Sequence, residues 1–446
     1  MSTRRLLAIF PPEQLVLLSI VGTICVGTIL LALPSAQIKP APLLDLFFTA
    51  TSATCVTGLF TIPIDQFSLF GKAVLLLLIQ IGGLGIITMT LLFLSTFMNL
   101  GLGTQLMAGR ILELESWKQI RRTLFVIISV TFLTELLGTV CIFGVLKKSY
   151  SFGMALFIAT FHSVSSFCSA GITLLEGGMS AYSNNIIMVL ITIILMFVGE
   201  LGFVTWQEIS DWFIAKLQHK TYRFSLHSKI VLYASTILLS CSGIIFWILE
   251  HNNILANLSA MQTTINTLFY VISFRSTGFL LTSIGSFHLA TILLIMIIAF
   301  IGSAPGSTGS GIKVTTFAIF LATVKAAISG KTSVTIKGRT IPMSQVFRAI
   351  AILIFGLGWI LLTTFCLLIT EKGFSFIEIL FESTSAFTSL GMSTGITSKL
   401  STIGKLFLIT SMIVGRIGSF TLILALKLRK KQEVEYTYPE ERVMLS

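Results

Sequence analysis

Thr54-Cys55-Val56-Thr57-Gly58-Leu59 is the first of four matching stretches in this chain of 446 residues. The others are Phe167-Cys168-Ser169-Ala170-Gly171-Ile172, Phe274-Arg275-Ser276-Thr277-Gly278-Phe279 and Phe387-Thr388-Ser389-Leu390-Gly391-Met392. Their glycines are 113, 107 and 113 residues apart. Each copy ends a short half-polar segment lying between two long apolar runs. Loops that carry backbone carbonyls into a membrane replace the water shell of an ion, and four equivalent loops suffice for a ring.

The apolar runs dominate the composition. The chain is 54% hydrophobic and 11% charged, with a mean hydropathy of +0.95, which describes a multi-spanning membrane protein. Spans are expected at 15–33, 72–98, 124–146, 184–214, 228–249, 286–327, 346–370 and 402–428. No small-residue cleavage site follows the first, so it reads as a retained helix. Four shorter stretches, Leu43–Thr54, Phe152–Phe167, Met261–Phe274 and Phe376–Phe387, stop at the glycine motifs. They are too short to cross and read as re-entrant half-helices. The expected fold class is an all-α membrane protein of four parallel M1–P-loop–M2 repeats in pseudo-fourfold arrangement around a central pore. That makes eight transmembrane helices and four re-entrant half-helices, with repeats at 1–108, 109–215, 216–335 and 336–446. Two crossings per repeat keep all four in one orientation, unlike transporters with inverted repeats.

Charge sets the orientation. Of the 30 Lys and Arg residues, 21 fall on the side that holds both termini and the loops joining repeats. That side is expected to be cytoplasmic, so the glycine loops enter from outside. The net charge of +12 lies between apolar runs, with no basic stripe interleaved with aromatics, so nucleic acid is not an expected partner. The lipid bilayer is. The six cysteines are scattered without metal or CxxC spacing, and no disulfide framework is implied. No nucleophile, acid–base pair or metal cluster is grouped as an enzyme would need.

The candidate ion-binding residues are Cys55, Val56, Thr57 and Gly58, then Cys168, Ser169, Ala170 and Gly171. Ser276, Thr277 and Gly278, then Thr388, Ser389, Leu390 and Gly391 complete the set. Each half-helix directs its negative C-terminal end toward the ion path. The plainer reading, that Ser, Thr and Gly ease helix packing, accounts better for one copy than for four in register. A glycine pair recurs beyond each of three loops: Gly82 and Gly85, Gly199 and Gly202, Gly415 and Gly418. In the third repeat the matching position opens Gly302-Ser303-Ala304-Pro305-Gly306-Ser307-Thr308-Gly309-Ser310-Gly311, followed by Lys313. This run cannot continue a helix. Non-helical backbone at membrane depth belongs against protein or a water-filled cavity, so the run reads as a gate. It is not a phosphate-binding loop, since GxxxxGK[ST] is absent and no strand precedes it. Arg416 stands at the same level, in register with Gly83, Glu200 and Ser303. Three roles fit it: bonding the gate carbonyls, pairing with Glu200, or opposing cation entry. Arg275 is expected to brace its loop from behind, and Glu135 to be a buried hydrogen-bonding group.

Ser52-Ala53-Thr54-Cys55-Val56-Thr57-Gly58-Leu59, the Gly302–Lys313 loop, Val414-Gly415-Arg416-Ile417-Gly418 and Tyr438-Pro439-Glu440-Glu441 together resemble the Trk/Ktr/HKT superfamily of potassium transporters. Within it they are most similar to the bacterial KtrB membrane subunits, and the resemblance covers nearly the whole chain. It implies gated potassium uptake across the bacterial inner membrane, with potassium at the loop residues and the 302–311 run and Arg416 as gate. It also implies a homodimer with one pore per subunit and a cytoplasmic ring of nucleotide-binding KtrA-type subunits. Sodium enters as an activator or co-ion, and no cofactor is expected in the chain. A sodium-selective or unselective permease of the same fold is the alternative, and an intramembrane enzyme a more distant one. The second repeat departs by four extra residues between loop and glycine pair, placed near Glu176–Asn185.

Overall fold

A computed structural model of the chain describes residues 12–85 and 117–418, and these fold almost wholly into α-helices. In the first quarter lie α1 (Pro12–Ala32), α2 (Leu43–Thr54) and α3 (Leu69–Gly83). Then come α4 (Trp117–Leu146), α5 (Phe152–Phe167), α6 (Ile186–Glu200) and α7 (Phe203–Leu217). The third quarter holds α8 (Leu226–Glu250), α9 (Ala260–Ser276), α10 (Leu289–Phe300) and α11 (Val314–Ile328). The last holds α12 (Met343–Thr370), α13 (Phe376–Thr388) and α14 (Thr402–Ile417). Among the described residues, three helices are long and apolar enough to cross a membrane: Leu124–Leu146 within α4, α8 and α12.

The four half-helices α2, α5, α9 and α13 end within two residues of where the sequence ends them. Two begin with capping boxes, Ser259 with Gln262 on α9 and Ser375 with Glu378 on α13, which satisfy orphan N–H groups reciprocally. The helices that follow three of the loops also start on polar caps. Ser68, Asn185 and Ser401 accept from the N–H groups of Gly71, Met188 and Gly404.

Two expectations need correction. The span 184–214 is not one helix. It breaks between α6 and α7 with a 99° bend. The fold is also not purely α: strands β1 (Thr335–Ile336) and β2 (Arg339–Thr340) form an antiparallel hairpin. Its turn residues Lys337 and Gly338 both have positive φ, 48° and 76°, the geometry of a two-residue hairpin turn. The four extra residues of the second quarter fall at a 3₁₀ turn, Gly178–Tyr182. The 86–98 part of the second expected span, the 108/109 boundary and everything from 419 on, with Lys427–Lys431 and Tyr438–Glu441, lie outside the described residues.

Two large hydrophobic clusters hold the helices together. One joins α1, α2 and α3 to α14, through residues such as Ile24, Phe48, Leu75, Leu408 and Met412. The other joins the middle quarters around Phe246, Phe269, Phe274 and Met196. The outward faces keep large apolar side chains exposed, among them Phe125, Leu136, Ile237, Leu361 and Phe365, as suits lipid contact.

Buried carboxylates tie loop ends to helix starts. Glu250, at the end of α8, accepts from His288 N (3.0 Å), from the Thr291 hydroxyl and from Asn253 Nδ2 (2.7 Å). Glu371 accepts from Ser401 N (3.0 Å) and from the Ser401 hydroxyl at the start of α14. Lys405 Nζ meets Asp45 Oδ1 at 2.6 Å and so links α14 to α2. Each acid places negative charge at a helix N-terminus. Replacing Glu371 by Ala leaves these donors without an acceptor. The expected loss is about 1–3 kcal/mol, read as a lower melting temperature of the detergent-solubilised protein. An unchanged melting temperature would show that the clasp carries no stability.

Candidate functional site

The four glycine loops meet. A Cβ built on Gly58 would collide with the carbonyl oxygen of Ala170. One on Gly171 would collide with that of Thr277, one on Gly278 with that of Leu390, and one on Gly391 with that of Thr57. Each glycine thus abuts the residue before the glycine of the next loop, and the four contacts close a cycle. All four glycines have positive φ, 91°, 67°, 77° and 80°. No other residue type combines that conformation with so close an approach.

A serine in each half-helix grips its loop twice. The backbone oxygens of Ser52, Ser165, Ser273 and Ser385 accept from Thr57, Ala170, Gly278 and Leu390 N–H at 2.8, 2.8, 2.9 and 2.9 Å. Their hydroxyls reach further along. Gly58 N and Ile172 N donate to Ser52 and Ser165 at 3.0 and 2.9 Å. Ser273 and Ser385 donate to the Phe279 and Met392 oxygens at 2.7 Å each. The sequence assigns these serines no role, although Ser52 stands in the stretch that carries the resemblance. Their recurrence five or six residues before each glycine was a usable signal.

The loops are not identical. Val56, Ser169 and Ser389, two residues before their glycines, take left-handed φ of 55°, 61° and 53°. That conformation costs about 1–2 kcal/mol per residue and is unusual for a β-branched valine. The third loop avoids it, because α9 continues helically to Ser276. The supports behind the loops differ as well. His162 bonds Thr173 and Thr192 at 3.3 and 3.2 Å. Glu382 accepts from the Ser393 hydroxyl, from Thr394 N (3.1 Å) and from Thr397 Oγ1 (2.9 Å). Behind Cys168, Glu135 accepts from Gln80 Nε2 at 3.1 Å, the buried polar role expected of it. Several hydroxyls of the loops, Thr57 Oγ1, Thr277 Oγ1 and Ser389 Oγ, are buried without a hydrogen-bond partner.

The glycine pairs have separate jobs. Gly82, Gly199 and Gly415 lie against the carbonyls of Thr54, Phe167 and Phe387, at the ends of the half-helices in their own quarters. A methyl group at any of them would strike that oxygen. The second members, Gly85, Gly202 and Gly418, have φ of 81°, 81° and 83° and lie just past the ends of α3, α6 and α14. All three helices therefore stop at one register, and α10 stops at Phe300, where the 302–311 run begins.

That run is strapped beneath the second and third loops. Ala304 N donates to Glu200 O (3.2 Å), Thr308 N to Gly199 O (3.2 Å), and Phe203 N to Gly306 O (2.8 Å). Thr308 Oγ1 donates to Phe167 O at 2.9 Å, and Gly309 packs against the Ser276 hydroxyl. Internally, Ser307 Oγ donates to Ser303 Oγ at 2.7 Å and Lys313 Nζ to Gly309 O at 2.7 Å. Gly302 and Gly311 pack on one another where Ile301 and Ile312 form a parallel bridge. Pro305 and Gly306 form a turn, and Ser303 N donates to Ser310 O at 3.4 Å.

Arg416 donates to Thr308 O (2.7 Å), to Ser310 Oγ (2.9 Å) and to Gly82 O. It therefore joins α3, the run and α14, the first of its three expected roles. The second is overturned. Glu200 pairs instead with Arg275 Nη1 at 3.2 Å, and both are fully buried. Arg275 Nη2 also reaches Gly302 O at 3.4 Å, so the bonds of Arg275 run to α6 and to the 302–311 run. The sequence placed Glu200 level with Arg416 but had no means of showing that α6 packs against α9 and sets the carboxylate beside Arg275.

The TrkH family of cation transport proteins matches residues 20–436. This chain belongs to that family. As a TrkH-family protein it is a membrane-embedded ion transporter and not an enzyme. The potassium/sodium uptake protein NtpJ of Enterococcus hirae is 31% identical, with 97% of each chain covered. The Ktr system potassium uptake protein B of Bacillus subtilis is 32% identical, covering 97% of this chain and 96% of its own. The crystal structure of the potassium transporter TrkH from Vibrio parahaemolyticus shares the fold, with a TM-score of 0.67 at 20% identity. It covers 87% of this chain and 79% of that one.

The buried Glu200–Arg275 pair gives a direct test. Arg275→Leu strands a carboxylate in the interior, and the expected loss is about 3–5 kcal/mol. Adding Glu200→Leu should recover part of it, so the double variant melts above the sum of the singles. Strict additivity in a double-mutant cycle would mean the pair is not energetically coupled.

Proposed function

We propose that the chain conducts potassium into a bacterial cell through the ring of four loops, driven by the electrochemical gradient. The observation that carries this is the closed cycle of carbonyl–glycine contacts, which concentrates four oxygens where four half-helices end. Carbonyl oxygens and the unpartnered hydroxyls of Thr57, Thr277 and Ser389 offer ligands to a dehydrated cation. The negative ends of α2, α5, α9 and α13 add a favourable field. The names of the relatives in Enterococcus hirae and Bacillus subtilis support potassium as the substrate.

In this reading the chain comprises four parallel repeats with eight transmembrane helices, pseudo-fourfold about the pore, and both termini are cytoplasmic. Entering ions shed water at Cys55–Gly58, Cys168–Gly171, Ser276–Gly278 and Thr388–Gly391. Below, the 302–311 run and Arg416 close the path. Opening breaks the Arg416 bonds to Thr308 and Ser310 and swings the run aside. The chain works as a homodimer in the inner membrane, controlled by a nucleotide-binding cytoplasmic ring that docks by charge. Sodium acts as activator or co-ion.

Expression in a bacterium lacking potassium uptake should restore growth at low potassium, tested with and without sodium. Failure to restore growth under either condition would refute potassium uptake. Serine at Gly58, Gly171, Gly278 or Gly391 should raise the potassium concentration needed for half-maximal uptake. Unchanged affinity in all four membrane-inserted variants would refute the ion-site assignment. Deleting Ala304–Gly309, or replacing Arg416 by Ala, should raise basal flux. Lower flux from both folded variants would make the run a structural necessity rather than a gate.

A further inference from the structure

The 99° bend between α6 and α7 leaves α7 with an unexplained face. Ile209, Phe213 and Leu217 recur at helical spacing, with Ile214 and Trp212 alongside, the Trp212 ring 6.3 Å from that of Phe224; Trp206 is tied back, its Nε1 donating to Val198 O at 2.9 Å. Trp212 is 38% exposed, Phe213 57%, Ile214 49% and Leu217 68%. The opposite arc, Gln207, Glu208 and Asp211, is engaged within the protein: Glu208 Oε2 accepts from Ser225 N at 2.9 Å, where α8 begins. Beyond the apolar arc lie the exposed cations Lys216, Lys220 and Arg223, with Lys216 Nζ 5.2 Å from the Trp212 ring centre.

Helix length places this face. α6 has 15 residues and spans about 22 Å at 1.5 Å per residue. With α6 set upright from the outer edge of a hydrocarbon core of about 30 Å, about 8 Å remains below its end. An amphipathic helix lying in the interface sits at about 5–10 Å depth. Tryptophan belongs at that level, and lysine and arginine next to it meet anionic headgroups.

α7 is also joined to the 302–311 run. Its first residue, Phe203, donates to Gly306 O at 2.8 Å, and Gly202 packs against Pro305 O. On the other side of the bend, Glu200 O and Gly199 O hold Ala304 and Thr308. Backbone hydrogen bonds thus join the run to both sides of the bend.

We propose that α7 rests on the anionic inner leaflet of the bilayer and sets the position of the 302–311 run, so that acidic lipid governs conduction. The coupling to conduction rests on the potassium pathway proposed above; the lipid seat rests only on the orientation proposed there.

The test uses the purified full chain in phosphatidylcholine vesicles with increasing phosphatidylglycerol. Doxyl-labelled lipid should quench the tryptophan fluorescence that is lost in Trp212→Phe, and quenching should rise with the acidic fraction. Potassium flux should change with the same dependence. In Lys216→Gln/Lys220→Gln/Arg223→Gln the acidic fraction needed for half the effect should rise by about threefold or more. Arginine at 216 and 220 should restore it. Absence of Trp212 quenching would overturn the lipid seat and assign the face to a protein. Quenching with flux indifferent to acidic lipid would overturn the coupling. Vesicles that never conduct potassium count against the pathway, while the quenching still decides the seat.

Discussion

A carbonyl oxygen can press against a Cα from another part of the chain only where that residue has no side chain. This structure makes that contact again and again. It joins the four loops into a cycle at Gly58, Gly171, Gly278 and Gly391. It also seats the following helices under the half-helices at Gly82, Gly199 and Gly415. The spacing of the four loops and of the three helices seated under them follows from it. Without water in the surroundings, every backbone group displaced by a larger residue would need a new partner.

Two arginines enter this framework where the backbone is irregular. Arg416 spends its donors on Thr308, Ser310 and Gly82, while Arg275 divides its own between Glu200 and Gly302. Both cations thus hold the 302–311 run, which has no helix of its own to satisfy its carbonyls. Burying a guanidinium is expensive, and it is tolerated where it meets oxygens that would otherwise stay unpaired. The same segment leans on Gly199, Glu200 and Phe203, so the α6 break and the 302–311 run behave as one unit.

The four quarters share a plan without sharing their supports. Three loops hold a left-handed residue before the glycine and the third does not, because α9 runs on through Arg275 to Ser276. Behind the loops stand His162 in one quarter and Glu382 in another, each satisfied by different hydroxyls. A ring assembled from one chain can differ at every corner. A ring of identical subunits cannot.

Much of this was legible in the sequence. Apolar length decides which stretches can cross and which cannot, so the half-helices were bounded closely: Leu43–Thr54 and Phe152–Phe167 coincide with α2 and α5. The glycine register likewise named the loop residues, since only glycine fits a left-handed turn under a neighbouring carbonyl. Hydropathy could not show the 99° bend after Glu200, because an apolar run reads the same whether straight or broken. Nor could it tell which arginine Glu200 would meet. Residue order places charges along the chain, but a pairing depends on directions in space, and those were decided by the packing of α6 against α9, which sets Glu200 beside Arg275.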